Sequence, residues 1–119
     1  MLKIINIYLT GTLPHSSIYL HLSIYYLSMD LKHLEKISKA LGDVNRLKII
    51  SDISHKGGSL QCSEIVKILE LAQPSVSHHI KTLIEAGIIE SEKSGRHHTY
   101  ILNKPLLENF IKKLKTIAG

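Results

Sequence analysis

The sequence predicts a mainly α-helical domain carrying one small β-hairpin, and three observations lead there. Residues 73–86 hold Val76, Ile80, Leu83 and Ile84 at offsets of four, seven and eight, which is one stripe of a 3.6-residue helix. The run ESEKSGRHHTYIL behind it sets Gly95 between two short β-prone segments. Both flanks of this core repeat the helical spacing of apolar residues.

The elements follow in order. In residues 30–41, Leu31, Leu34, Ile37 and Leu41 line one helix face, with Lys32, Lys36 and Lys39 on the other. Residues 43–54 form the next helix, with Asp43 as N-cap and Leu47, Ile50 and Ile53 inward. A third helix spans about residues 63–71, with Ser63 as N-cap and Ile65, Ile68 and Leu69 inward. Ala72 and Gln73 make a tight turn. Pro74 then suits the first turn of the fourth helix, where its missing N–H has no intrahelical partner to lose.

Gly87 supplies the stop, and Ile88 and Ile89 begin a strand. Lys93, Ser94, Gly95 and Arg96 form the hairpin tip, and Tyr100, Ile101 and Leu102 return as the second strand. Leu106, Leu107, Phe110, Ile111 and Leu114 stripe a last helix, with Lys112, Lys113 and Lys115 outside it.

The order α-α-α-α-β-β-α, with two helices joined by a very short turn and followed by a hairpin, reads as a winged helix-turn-helix. That architecture presents its second helix to the DNA major groove while the first braces it across the backbone. Ser75, Ser77, His78 and Lys81 occupy the face of the fourth helix left free by its apolar stripe. Lys93, Arg96 and His97 on the hairpin suit phosphate or minor-groove contact.

At these residues the chain resembles the ArsR/SmtB winged-helix repressors of bacteria and archaea. The resemblance rests on ALGDVNRLKII at 40–50, LAQPSVSHHIKTLIEAGII at 71–89 and GRHHTYIL at 95–102, in the family's order and spacing. It implies a homodimer in which the helix opening at Gln73 and Pro74 reads the operator, the hairpin is the wing, and the first and last helices form the dimer interface. It also implies an inducer whose binding weakens the hold on DNA. The chain departs from the pattern at Val44 and Asn45 in place of Pro-Thr, Ala72 in place of a capping Ser, and His78 in place of Arg.

Soft-metal sensors of that family carry a Cys-x-Cys pair ahead of an acidic residue. Against Glu64 those positions are Gln61 and Ser63, with Cys62 between them, and one thiolate cannot complete a tetrahedral or trigonal thiolate site. The family's other site uses Asp, His and Glu along the last helix, where this chain offers Glu108 and no His. No metal and no cofactor is therefore expected. His79 reads as a packing or hydrogen-bonding residue, and alternation along the strand would turn one of His97 and His98 inward. A zinc site shared between two protomers stays open. Cys62 reads as a half-buried core residue, with a redox role as the alternative.

The dimerisation residues are Leu31, Leu34, Ile37, Leu107, Phe110, Ile111 and Leu114, unless these stripes only cover their own core. A two-fold dimer predicts an imperfect palindromic operator in double-stranded DNA. The inducer is unknown. Constitutive repression, a small organic ligand, a thiol-reactive signal at Cys62 and an interprotomer metal all fit.

Composition agrees. The 119 residues carry a formal charge of +5 and a pI near 9.4, which favours a polyanionic partner. One Cys excludes an internal disulfide and fits a reducing cytoplasm. No nucleophile with an aligned base appears, so the chain does not read as an enzyme. The competing reading is a winged-helix module that binds protein rather than specific DNA.

Residues 1–28 differ from the rest, with no acidic residue, one Lys and four of the five Tyr. Polar interruptions leave no apolar span of about 18 residues, so no membrane helix is expected. Our expectation is two regions, an atypical extension over 1–28 that is untranslated or disordered, and a DNA-binding and dimerisation domain over 29–119.

Overall fold

The computed structural model describes residues 29–119, and the expectations for residues 1–28 lie outside the described residues. Helix α1 (Leu31–Leu41) leads through a short bend into α2 (Val44–His55). Strand β1 (Ser59–Gln61) runs directly into α3 (Cys62–Leu69), followed by α4 (Gln73–Glu85). The hairpin of β2 (Ile89–Ser94) and β3 (His97–Leu102) precedes the last helix, α5 (Lys104–Ala118). Among the described residues no helix is long and apolar enough to cross a membrane.

Asp43 caps α2 as expected, its Oδ1 accepting from the backbone N–H of Asn45 at 2.9 Å and of Arg46 at 3.2 Å. The inward face of α2 is rotated from the expected one. Ile49 and Ile53 are buried, Ile50 is half-buried, and Leu47 is 49% exposed. Apolar side chains at 47, 49, 50 and 53 offer two overlapping helical stripes, and the pair one turn apart is the one that packs.

Strand β1 is an addition to the expected order. Its pairing with β3 places Leu60 opposite Tyr100, and the sheet is three-stranded and antiparallel in the order β1-β3-β2. Helix α3 starts at Cys62, one residue before the expected cap. Gln61 is the N-cap, and its backbone N–H donates to Glu64 Oε2 at 2.9 Å, so Ser63 lies inside the helix rather than at its cap. A carboxylate three positions past the cap reaches back to that free donor, a reach a serine inside the first turn does not have.

Helix α3 ends at Leu69 and is capped by Glu70, which adopts φ +52 and donates its N–H to Val66 O at 3.2 Å. Lys48 of α2 adds an ammonium at 3.1 Å from Ile68 O, a cation at the negative end of the helix. The turn is therefore made by Glu70, Leu71 and Ala72, and Gln73 already belongs to α4. Ala72 contributes no side-chain cap, while its carbonyl accepts from Ser75 N at 3.0 Å and Val76 N at 3.2 Å.

Val76, Ile80 and Leu83 are buried, and Ile84 lies at the rim, 37% exposed. The C-terminus of α4 closes with Ile88 N–H to Leu83 O at 3.0 Å and Gly87 N–H to Ile84 O at 2.9 Å, around Gly87 at φ +79. This paired closure needs a left-handed residue where glycine stands. At the hairpin, Ser94 pairs with His97 across the two-residue turn Gly95–Arg96, with Gly95 at φ +61. Glycine at the first central position is what a type II′ connection requires.

The core runs through every helix: Ile37 and Ala40 of α1, Ile49 and Ile53 of α2, Ile65 of α3, Leu83 of α4 and Leu106 of α5, with Leu60 and Ile89 from the sheet. Each isoleucine or leucine side chain among them contributes about 1.5–3 kcal/mol by leaving water. Helix α4 is seated on α2, α3 and β2 at once, so its outward face is fixed by three neighbours.

Candidate nucleic-acid interface

Burial of Val76, Ile80 and Leu83 turns the opposite face of α4 to solvent. Gln73, Ser75, Ser77, His78 and Lys81 are all exposed there. Lys81 Nζ is 3.9 Å from Glu85 Oε1 in an exposed i,i+4 pair, a contact that leaves it available to another anion. The polar face thus carries hydroxyls, an amide, an imidazole and an ammonium, the donor set that reads base edges and phosphates.

Lys93, Arg96 and His97 are likewise exposed on the wing. His97 and His98 are both exposed, so the expected inward turn of one of them does not occur. The hairpin tip extends past the core, and residues 90–98 are all exposed.

A cleft of about 440 Å³ separates the wing from the helix pair. Gln73 opens it from α4, Arg96 and His97 close it from the wing, and Cys62, Ser63 and Lys67 enter from α3. The structure therefore brings Gln73 together with the two wing residues, while Ser75, Ser77, His78, Lys81 and Lys93 lie outside the cleft. Lys67 is an addition to the residues expected from sequence. Its signal was an exposed lysine on the bracing helix, the element that crosses the backbone in helix-turn-helix docking.

Cys62, half-buried at the first turn of α3, faces Tyr100. Burial first, and the Cys62 thiol beside it second, push the Tyr100 phenol above its ordinary range. Among the described residues no three His, Cys, Asp or Glu side chains are grouped as metal ligands. The arrangement offers hydrogen-bond donors and cations for binding.

The dimerisation stripes divide. Leu34, Ile37 and Phe110 are buried within the single chain and Leu107 is half-buried. Leu31 is 67%, Ile111 51% and Leu114 42% exposed, and Ile117 extends the same helix's apolar surface.

A helix-turn-helix braced by a three-stranded wing defines the fold as a winged helix-turn-helix. The model of the bacterial regulatory proteins of the arsR family matches residues 43–91. An arsenical resistance operon repressor of Staphylococcus aureus is 34% identical over 89 residues, which cover 75% of this chain and 84% of that protein. The chain belongs to the arsR family.

Among solved structures, the transcriptional repressor PagR of Bacillus anthracis is similar with a TM-score of 0.58 and 28% identity, covering 71% of this chain and 94% of that one. A homodimeric winged helix-turn-helix DNA-binding domain from Mycobacterium bovis matches with a TM-score of 0.60 at 18% identity, covering 74% and 80%, and shares the fold.

Proposed function

We propose that this protein is a homodimeric, sequence-specific DNA-binding transcriptional regulator that represses its target and is released by an inducer. The observation that carries this reading is the exposed polar and cationic face of α4 beside a cationic wing, on a fold whose relatives are named repressors. Ser77 and His78 read bases in the major groove, and Lys93 and Arg96 hold phosphates. Leu31, Ile111 and Leu114 supply apolar surface for pairing with a second chain, and homodimerisation of the Mycobacterium bovis domain supports that assembly.

The protein-binding alternative requires an apolar reading face. On α4 the exposed residues are polar apart from Pro74 and the rim position Ile84, which favours DNA.

Fluorescence anisotropy of the full chain on a duplex from upstream of its own gene tests the reading, with a scrambled duplex as competitor. Selective binding that saturates at two chains per site is expected. Equal, salt-sensitive binding to both duplexes would overturn sequence-specific regulation.

A further inference from the structure

Arg46 joins three elements. Its Nε donates to Ala40 O at 2.6 Å and its Nη2 to Lys39 O at 3.3 Å, which seats the guanidinium on the last turn of α1. Its Nη1 lies 3.2 Å from Nδ1 of His79 on α4. An arginine has donors only, so the contact is a hydrogen bond in the tautomer that leaves Nδ1 bare and carries its proton on Nε2. The His79 side chain is only 12% exposed, and the contact is shielded from bulk water.

The same Nδ1 is 3.8 Å from Asp43 Oδ1, the carboxylate that already caps α2. Among the described residues Asp43 is the carboxylate within 4 Å of His79 Nδ1, an ion-pair partner only when the ring is protonated. Of the other nearby charges, His78 is on the same helix with ring centroids 6.0 Å apart, and the Lys39 ammonium pairs with Glu35 at 2.7 Å. Protonating His79 sets two N–H groups and two positive charges against each other at Arg46, while Asp43 attracts the new imidazolium. The partner of His79 then changes from Arg46 to Asp43.

We propose that Arg46 is a positioning residue for DNA reading: anchored on α1, it fixes the orientation of α4 through His79, and it does so only while His79 is neutral. This rests on α4 being the DNA-reading helix. His79 directly follows His78 and lies two residues from Ser77, so a change of its partner is delivered to the reading face.

Long-range proton–nitrogen NMR of the full chain reads the ring directly. A bare Nδ1 and a protonated Nε2 are expected at neutral pH, and a proton on Nδ1 there overturns the proposal. Selectivity for the upstream duplex over its scrambled form is then compared between about pH 8 and about pH 5.5.

On acidification the wild type should lose about tenfold more selectivity than His79→Gln, a difference of about 1.4 kcal/mol. His78, His97 and His98 are present in both proteins, so the comparison isolates the change at position 79. Identical pH profiles overturn the proposal. Arg46→Lys, with helix content checked by circular dichroism, should lose selectivity at both pH values, and unchanged selectivity in that folded variant also overturns it. A wild type that binds no duplex selectively at any pH locates the failure in the DNA reading itself, and the positioning role falls with it.

Discussion

Nδ2 of Asn103 donates to the Gly87 carbonyl at 3.1 Å, tying the exit of α4 to the entry of α5 across the base of the wing. The same side chain accepts from Leu106 N at 3.3 Å, and the Asn103 backbone N–H donates to Ile88 O at 2.9 Å. One residue thus caps α5 and closes the wing. Asn103→Ala should cost about 1–2 kcal/mol of stability, from a lost cap together with a lost hydrogen bond, as measured by urea unfolding.

Gly87→Ala should destabilise by roughly 1–2 kcal/mol through its backbone rather than through crowding. An added Cβ would meet Leu106 Cδ2 at 3.6 Å, an ordinary contact, while φ +79 stays in the region that suits glycine. Thermal unfolding checks it, and a stability equal to wild type would show that the chain relaxes there without strain.

Two classes of DNA contact should separate experimentally. Ser77→Ala and His78→Ala should each lower discrimination between operator and scrambled duplex by ~1–3 kcal/mol. Lys93→Ala or Arg96→Ala should weaken both duplexes alike and reduce the salt slope by about 1. Anisotropy titrations across a salt series distinguish the two outcomes.

Replacing Ile111 and Leu114 with Glu should produce a monomer in sedimentation equilibrium. Both are exposed in the single chain, so helix content should be kept, and monomer stability should move by no more than about 0.5 kcal/mol per site. Retention of the dimer would shift the interface away from α5.

Asp43 gives a pH-dependent term with a defined sign. The Arg46 backbone N–H, the largest influence, holds its carboxyl below the usual range; burial, second in size, opposes it, and the Asn45 N–H with the nearby His79 and Arg46 reinforces the lowering. A lowered folded pKa means that its contribution is complete above the unfolded value of about 3.9 and fades as pH falls through the folded one. The Tm difference between wild type and Asp43→Ala should therefore be largest near neutral pH and shrink at strongly acidic pH.

Much of this was legible in the residues. Pro74, Gly87 and Asp43 each mark a backbone condition that few residues meet, and the structure puts all three at the helix boundaries they announce. The apolar offsets of Val76, Ile80 and Leu83 likewise gave the buried face of α4 and, by exclusion, its exposed polar face.

What was missed has physical causes. Strand β1 is three residues long with one buried side chain, too short for alternation to register. Its existence depends on β3, a partner about 40 residues away in sequence. Ser63 looked like a cap because serine favours such positions, but the Glu64 carboxylate decided the start of α3. The outward turn of both His97 and His98 depends on where the core ends, which no local pattern records.

Because β3 is hydrogen-bonded on one side to β2 and on the other to β1, the strand that leads without a break into α3, the wing is not a free arm. A load on its tip is passed to the start of α3 through the sheet, without passing through α4. On the proposed DNA-binding mode, displacing either the wing or α3 would loosen the other, and a regulator built this way would need no separate trigger for each.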